Sequence, residues 1–391
     1  MNAVVVHYKE LVLKGRNRPW FVSKLLRNLK TALTGLDVRT VRSVMGRVEI
    51  EFGGSGRAGQ EEVRERLSRV FGIANFSPAG RTSLEFQQIA NDILAALGEL
   101  ETPSFRVSVR RADKRFPFTS PQIEREVGGL IKEARGWRVD LSNPGLTIHV
   151  EMLSDHAWFF FGKEPGAGGL PTGTGGRVAC LLSGGFDSPV AAYRMMRRGC
   201  SVLFVHFHSY PILSRASQEK ARELARLLAR YQYYSRLVLV PFGDIQQRVV
   251  LAVAPPLRVV IYRRLMMRIA ERLARLNRAQ ALVTGEVVGQ VASQTLENMA
   301  TIGRVVSLPV LRPLVGMDKE EITSEAQRLG TYPVSIIPDQ DCCTLFTPKH
   351  PATKAKGHEV ERAEAGLPID EIVQQAAAAA VVEHFSFPDI K

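Results

Sequence analysis

Residues 178–189 have the sequence Val-Ala-Cys-Leu-Leu-Ser-Gly-Gly-Phe-Asp-Ser-Pro, and this stretch decides the fold of the second half of the chain. The apolar run Val178–Leu182 predicts a buried strand. Pro189 suits the first turn of a helix, which we expect to extend to about Arg198 and to end at Gly199. The stretch therefore predicts a strand, a glycine-rich turn and the beginning of a helix in direct succession.

The turn Ser183–Ser188 has the composition of a phosphate-binding loop. A helix N-terminus presents unpaired backbone N–H groups and a partial positive charge, which together bind phosphate. Gly184 and Gly185 let the backbone approach a phosphate without a Cβ clash, and the two serines add hydroxyl donors. The Asp187 carboxylate would repel a phosphate unless Mg²⁺ lay between them. The turn thus predicts a phosphate site with Mg²⁺ at Asp187, although an ordinary strand-to-helix turn has a similar composition.

Length and composition exclude several classes of protein. With 391 residues, 45% hydrophobic and 23% charged, the chain has the composition of a globular protein of two or three domains. No apolar stretch approaches the ~20 residues of a membrane span, and Met1–His7 predicts a strand and not a signal peptide. Four cysteines do not form a disulfide scaffold in so long a chain, so we expect a reducing, cytoplasmic compartment. The motif Gly-x-x-x-x-Gly-Lys-Ser/Thr of P-loop kinases is absent from the sequence.

The net charge of the chain is strongly positive. The formal value is +13, from 52 Lys and Arg against 39 Asp and Glu, and the excess is heaviest in residues 1–80. Such a balance suits a polyanionic partner such as a nucleic acid, although a contribution to solubility alone explains it as well.

Residues 1–80 predict a small α/β domain. We expect strands at Val4–Tyr8, Val38–Val44 and Arg47–Phe52, helices at Phe21–Leu33 and Glu61–Val70, and a closing segment Phe71–Ala79. Lys9–Trp20 has the composition of a basic, polar loop. The order β-α-β-β-α-β predicts a ferredoxin-like fold.

Residues 81–163 predict a second α/β domain with a basic loop. Helices are expected at Leu84–Leu97 and Pro121–Ala134, the second capped by Ser120, and strands at Leu146–Met152 and Ala157–Phe161. A further strand begins at Phe105 and continues into a loop that ends at Phe118. This stretch combines five cations with phenylalanines, as on surfaces that follow a phosphate backbone and stack bases, although a solvated charged edge has the same composition.

Residues 164–176 are rich in glycine and predict a linker, after which residues 177–391 alternate between strands and helices. This alternation is typical of a doubly wound parallel sheet. The expected strands are Val202–His208, Arg236–Val240, Ala281–Thr284 and Val305–Leu311, and the expected helices are Gln218–Tyr231, Leu257–Leu276, one capped by Asp318, and Ile369–Phe385. Arg263, Arg264 and Arg268 are expected to face outward. Because ligands bind beyond the carboxyl ends of such strands, Ser183–Ser188, His206-Phe207 and Gly285-Glu286 should meet at one crevice.

The sequence resembles the 4-thiouridine synthetase family of tRNA sulfurtransferases, which belongs with thiamine biosynthesis and tRNA thiolation. The resemblance extends over nearly the whole chain. The matching stretches are Tyr8–Arg18, Val107–Pro117, Ser183–Ser188, Thr284–Thr295, Arg312–Leu314 with Asp318-Lys319, and Asp341–Cys343. It implies an N-terminal ferredoxin-like domain, a THUMP domain over 81–163 and an ATP pyrophosphatase (PP-loop) domain over 177–391.

The resemblance also implies site residues. Nucleotide contacts fall on Leu181, Leu182, His206, Phe207, Arg263, Gly285 and Gln294, beside the loop residues Ser183, Gly184, Gly185 and Ser188. The essential acid and lysine match Asp187 and Lys319, and the reactive cysteine falls on Cys343, with Cys342 as the alternative. RNA contacts are expected from Lys14, Arg16, Arg18, Arg110, Arg111, Lys114 and Arg115.

The resemblance implies ATP-dependent thiolation of a tRNA uridine. ATP with Mg²⁺ would adenylate C4 of the uridine, at position 8, and a persulfide donor such as a cysteine desulfurase would supply the sulfur, giving 4-thiouridine, AMP and pyrophosphate. The sequence shows no rhodanese domain after the PP-loop domain, so the immediate donor stays open, as does a homodimer. The alternatives are another adenylating ligase of the PP-loop superfamily and an RNA-binding protein with an inactive nucleotide site.

Overall fold

The computed structural model describes residues 2–53, 57–338, 346, 348 and 350–388. The chain divides into two compact units, Met1–Pro171 and Thr172–Lys391. Within the described ranges, no helix combines the length and the apolar composition needed to cross a membrane.

The first unit is built on one nine-stranded sheet. Its strands are β1 Ala3–His7, β2 Val38–Val44, β3 Arg47–Phe52, β4 Asn75–Thr82, β5 Ser104–Arg111, β6 Arg138–Val139, β7 Leu146–Met152, β8 Ala157–Phe160 and β9 Glu164–Pro165. They lie in the order β2-β3-β1-β4-β8-β7-β5-β6, and β9 also pairs with β4. The long strand β4 pairs with β1 through residues 75–79 and with β8 through residues 80–82. The predicted ferredoxin-like order β-α-β-β-α-β is confirmed in the first half of this sheet.

The helices of the first unit are α1 Arg18–Ala32, α2 Arg57–Ser68, α3 Phe86–Leu97 and α4 Ser120–Arg135. Two local predictions were wrong. The segment Lys9–Trp20 is not a loop, because Glu10–Asn17 forms a 3₁₀ helix around the fully buried Leu11, and α1 begins at Arg18. The cap of α4 is Thr119 and not Ser120: the backbone N–H and the hydroxyl of Thr119 both donate to Gln122 Oε1 at 2.8 Å.

The first part of the glycine-rich segment 164–176 is folded onto the first unit. Glu164 and Pro165 pair with Phe76 and Asn75. The N–H of Gly166 then donates to the Ala74 carbonyl at 3.1 Å. A Cβ on Gly166 would lie 2.4 Å from the Ile73 carbonyl oxygen, so glycine is required by this close approach.

The second unit is an α/β domain with a six-stranded sheet. Its strands are β10 Arg177–Leu181, β11 Ser201–His208, β12 Tyr234–Pro241, β13 Ala281–Val283, β14 Val310–Leu311 and β15 Val381–Ser386. They lie in the order β14-β13-β10-β11-β12-β15, and all neighbours are parallel except β12 and β15. The predicted doubly wound sheet is therefore confirmed, with one antiparallel strand added at its edge.

The helices of the second unit are α5 Asp187–Arg197, α6 Ala216–Gln232, α7 Gly243–Ala252, α8 Arg258–Leu276, α9 Leu296–Gly303, α10 Lys319–Leu329, α11 Tyr332–Ser335, α12 Gly357–Glu364 and α13 Ile369–Ala378. The single helix predicted over Ile369–Phe385 was wrong, because α13 ends at Ala378 and Val381 begins β15. The β-branched pair Val381-Val382 finds backbone partners on β12, and this tertiary pairing outweighs helix propensity.

Arg264 does not face outward as predicted. Only 3% of its surface is exposed. Its guanidinium bonds both carboxylate oxygens of Glu364, at 2.8 and 2.7 Å, and the Thr301 carbonyl at 2.8 Å. A buried cation needs such a partner, and this one lies far along the chain on α12.

Candidate functional site

A cavity lies beyond the carboxyl ends of three adjacent parallel strands, β13, β10 and β11. It is lined by Leu181, Leu182, Ser183, Asp187, Ser188, Val205, His206, Phe207, Arg263, Met266, Met267, Thr284, Gly285, Glu286, Gln294 and Ile302. The predicted nucleotide residues therefore meet at one place, apart from Gly184 and Gly185, which belong to the loop at its edge. Five further lining residues were not among the predicted ones: Val205, Met266, Met267, Thr284 and Ile302.

The loop Ser183–Ser188 joins β10 directly to α5. The Ser183 N–H donates to Ser188 Oγ at 2.9 Å, and the two serine hydroxyls lie 3.1 Å apart. The Gly185 N–H donates to Ser183 Oγ at 3.3 Å. The hydroxyls therefore hold the shape of the loop, and the N-terminus of α5 supplies the N–H groups and positive dipole that attract an anion.

Asp187 is the first residue of α5, and its carboxylate is half-buried. Its Oδ2 accepts a hydrogen bond from Gln290 Nε2 at 3.3 Å. Its Oδ1 is buried and accepts no hydrogen bond from the described part of the chain. Burial raises the pKa of Asp187, while the Gln290 bond and the charge of Lys319 act in the opposite direction. A desolvated carboxylate with one unused oxygen beside a phosphate loop fits a divalent cation such as Mg²⁺.

The apolar end of the cavity is fixed by backbone contacts between β10 and β11. The Leu182 N–H donates to the Val205 carbonyl at 2.8 Å. The Leu182 carbonyl accepts a hydrogen bond from His206 Nδ1 at 2.9 Å, so Nδ1 carries a proton. With Leu181, Met266 and Ile302 alongside, this end is lined by apolar side chains, which suits a purine base.

Gly285 brings the end of β13 against the first turn of α5. A Cβ at this position would lie 2.7 Å from the Ser188 nitrogen and 2.8 Å from the Asp187 carbonyl carbon. Both neighbours are backbone atoms, so neither can rotate away. Glycine at 285 is therefore needed for the approach of the strand to the loop.

The side of the cavity formed by α8 and the segment after β13 is ionic. Arg263 Nη1 lies 3.1 Å from Glu286 Oε1, and Thr284 Oγ1 donates to Glu286 Oε2 at 2.9 Å. Gln294 Oε1 accepts from the Val287 N–H at 3.3 Å and so stabilises the segment that contains Gln290. The sequence placed Glu286 at the crevice without a role, and its position directly after Gly285 was the available signal.

The predicted RNA-binding residues all lie in the first unit, but their surroundings differ. Arg16, Arg110 and Lys114 are exposed, and the Arg115 side chain is 88% exposed although it pairs with Asp113. Lys14 lies over the Phe21 ring at 5.1 Å and Arg18 over the Tyr8 ring at 5.7 Å. Arg111 Nη1 donates to the Phe116 and Phe118 carbonyls at 3.2 and 2.9 Å, so it also stabilises the basic loop.

Lys319 is exposed at the start of α10. Asp318 caps this helix as predicted, through a reciprocal pair of bonds with Glu321. Cys342 and Cys343 lie outside the described residues. The chain that precedes them is anchored by the buried Lys220, whose ammonium donates to the Ile337 carbonyl at 2.6 Å.

The close approach at Gly285 can be tested with one methyl group. We expect Gly285→Ala to weaken ATP binding at least about tenfold, because the Cβ must push the phosphate loop and the start of α5 aside. Calorimetric titration with ATP measures the change. Gly316→Ala is the matched control, since a Cβ there meets nothing within 4 Å. Equal affinity of the two variants would contradict the role given to Gly285.

The chain is similar to known proteins along nearly its whole length. The model for the thiamine biosynthesis protein ThiI matches residues 173–369, the ThiI ferredoxin-like domain residues 3–77 and the THUMP domain residues 85–161. A probable tRNA sulfurtransferase of Moorella thermoacetica is 46% identical over 95% of both chains. That of Thermus thermophilus is 44% identical over 97% of this chain and 93% of the relative. A crystal structure of a 4-thiouridine synthetase–RNA complex with bound ATP matches 99% of this chain and 100% of that chain, with 35% identity and a TM-score of 0.89. The chain therefore belongs to the ThiI family of tRNA sulfurtransferases.

Proposed function

We propose that this protein is an ATP-dependent tRNA sulfurtransferase that converts a tRNA uridine, at position 8, to 4-thiouridine. The observation that carries the proposal is the cavity in which the loop Ser183–Ser188, the N-terminus of α5 and the Leu182–His206 contact lie together. A phosphate cradle beside an apolar slot suits ATP. The basic first unit suits a polynucleotide as the second substrate.

The first step forms an adenylated uridine. O4 of the uridine attacks the α-phosphorus of ATP, the bond to the β-phosphate oxygen breaks, pyrophosphate leaves, and the N3 proton of the uridine passes to solvent. The N–H groups at the start of α5 stabilise the charge that develops on the departing pyrophosphate, and Arg263 and Lys319 neutralise phosphate oxygens. The adenosine part of ATP is surrounded by side chains that keep water out, namely those of Leu181, Leu182, His206, Phe207 and Gln294.

Asp187 would hold Mg²⁺ through its buried Oδ1. The bound ion would supply positive charge to the phosphates. Asp187 itself must be ionised for this purpose, and the positive charge of Lys319 favours the ionised form.

The second step replaces oxygen by sulfur. The terminal sulfur of a persulfide on Cys343 attacks C4, and AMP leaves with the original oxygen. A thiol then splits the resulting disulfide between the cysteine and C4, which releases thiouridine and leaves a protein disulfide. Cys342 is the neighbouring candidate for that thiol, and a thiol reductant resets the pair. The sulfur comes from a persulfide donor such as a cysteine desulfurase.

The cellular setting follows from these partners. Free tRNA, ATP and persulfide donors meet in the cytoplasm, where we place the protein. A second copy of the chain is a further candidate partner.

Incubation with bulk tRNA, ATP and a sulfide source tests the proposed function. We expect tRNA-dependent formation of AMP and the near-ultraviolet absorbance of thiouridine in the recovered tRNA. AMP formation with a small carboxylate in the absence of tRNA would instead indicate an adenylating ligase. Binding of tRNA without any AMP would indicate an inactive nucleotide site.

The charge of Lys319 should affect the acid limb of the pH profile, that is, the pH at which kcat/KM for ATP falls on acidification. In Lys319→Met the pKa of Asp187 rises further, because burial is then opposed only by Gln290. A carboxylate with a higher pKa is protonated at higher pH, so the acid limb of kcat/KM for ATP should shift to higher pH. Lys319→Arg keeps the charge and should leave the limb in place. If the acid limb is unshifted in both variants, Lys319 does not act on Asp187. Asp187→Asn should abolish AMP formation at every pH.

The end of β5 and the basic loop that follows it should bind the phosphates of tRNA. Replacing Arg110, Lys114 and Arg115 together by Gln should weaken all tRNAs alike and lower the salt slope by about 0.7–0.9 for each lost phosphate contact. Filter binding over a range of salt concentrations measures both effects. Arg125, Lys132 and Arg138, exposed cations outside the loop, form the control triple. Equal slopes in the two triple variants would place the RNA surface elsewhere. Arg111 is left unchanged because it also stabilises the loop.

Cys343 should matter only for sulfur delivery. Cys343→Ser should retain tRNA binding and AMP formation but lose thiolation when the sulfur arrives as a protein persulfide. Cys342→Ser should be milder. Parent-level thiolation by both single variants with the persulfide donor would show that neither cysteine carries the sulfur.

A further inference from the structure

The cavity has an unfavourable charge for a polyphosphate. Among the described residues that line it, the charged groups are the carboxylates of Asp187 and Glu286 and the guanidinium of Arg263. Two negative charges and one positive charge would repel ATP at close range. Besides the Mg²⁺ proposed at Asp187 and the N-terminus of α5, cations outside the lining offset this charge.

Each of the two carboxylates has a cation of its own beyond the lining. Lys319 acts on Asp187 through its charge. Arg312 Nε donates to Glu286 Oε2 at 2.8 Å, while Arg263 Nη1 lies 3.1 Å from Oε1 of the same carboxylate. Glu286 is 4% exposed, so its carboxylate is shielded from water, while the side chains of Arg263 and Arg312 are 25% and 20% exposed.

The topology explains how Arg312 reaches Glu286. The strands β13 and β14 are parallel neighbours, and the Thr284 N–H donates to the Leu311 carbonyl at 3.1 Å. Arg312 follows β14 as Gly285 and Glu286 follow β13, so both segments leave the sheet at the same edge. Arg312 belongs to the motif Arg312–Leu314, to which the proposed mechanism gives no role.

We propose that Arg312 is a positioning residue that shares the charge of Glu286 and so leaves Arg263 able to attract the phosphates of ATP. With Arg312 present, the cluster carries a net charge of +1. Without it, Arg263 and Glu286 form a neutral pair, and the carboxylate competes with phosphate for the Arg263 guanidinium. Arg312 therefore acts on ATP through Glu286 and Arg263. This inference rests on the proposed function only in taking ATP as the ligand.

Calorimetric titration of the full-length protein with ATP, pyrophosphate and adenosine tests the inference. Arg312→Met should weaken ATP and pyrophosphate about tenfold, because Glu286 then pairs with Arg263 alone and competes with the phosphates for it, and leave adenosine unchanged. Arg312→Lys keeps the charge, so its affinities for ATP and pyrophosphate should remain within about threefold of those of the parent. The exposed Arg272 on α8 is the matched control, and Arg272→Met should bind all three ligands as the parent does.

The double variant Arg312→Met/Glu286→Gln separates charge sharing from a merely structural role. Removing the carboxylate as well removes the group that competes for Arg263, so ATP affinity should return to within about threefold of the parent. A double variant that binds ATP as weakly as Arg312→Met, or an Arg312→Met variant that binds it as tightly as the parent, overturns the inference.

Thermal unfolding will show whether Arg312→Met folds. If it does not, the ATP affinity of the double variant is compared with that of Glu286→Gln alone. Equal affinities support charge sharing, and weaker binding by the double variant contradicts it. If the parent protein binds pyrophosphate but not ATP, the proposed function is contradicted but the inference about Arg312 is not. The pyrophosphate affinities of the variants then test that inference.

Discussion

The close packing of Gly285 against the start of α5 is the constraint on which the site depends. The strands β13 and β10 are neighbours in the sheet, and the chain after β13 must cross the first turn of the helix that follows β10. Because a Cβ would meet backbone atoms of Asp187 and Ser188, the two segments approach as closely as main chains allow. This contact places Glu286 beside the phosphate loop and lets Gln290 reach Asp187.

The site concentrates charges of both signs in a partly desolvated place. Burial disfavours the ionised form of Asp187, and the same burial strengthens its attraction to any nearby cation. Glu286 avoids this difficulty by accepting bonds from two guanidiniums and one hydroxyl. The two carboxylates are therefore not equivalent: Glu286 is satisfied by the protein, whereas Asp187 keeps one oxygen for a ligand. That difference supports Asp187 over Glu286 as the metal-binding residue.

The sequence predicted the parts of the site that depend on local chemistry. The turn Ser183–Ser188 could be recognised because glycine, serine and a following helix act within a few residues of one another. The ion pair of Arg264 with Glu364 could not, since its partners are 100 residues apart and burial is a property of the folded chain. The same reason applies to Glu286 and Arg312, whose contact depends on strand order. The strand β15 was missed because its pairing with β12 outweighs the helical tendency of the preceding alanines.

In the first unit, one sheet joins the two segments, 1–80 and 81–163, that the sequence suggests are separate domains. His7 of β1 lies 2.9 Å from Glu151 of β7, and Trp158 of β8 donates to Glu49 of β3 at 2.7 Å. These side chains are largely buried, so breaking the sheet at β4 would expose unpaired polar groups as well as apolar surface. The matches to the ThiI ferredoxin-like and THUMP models therefore fall on one continuous sheet. The cations at Lys14–Arg18 and at Arg110–Arg115 belong to the same folded unit. The sheet therefore fixes the distance between these two sets of cations, and any tRNA that contacted both would have to match that distance.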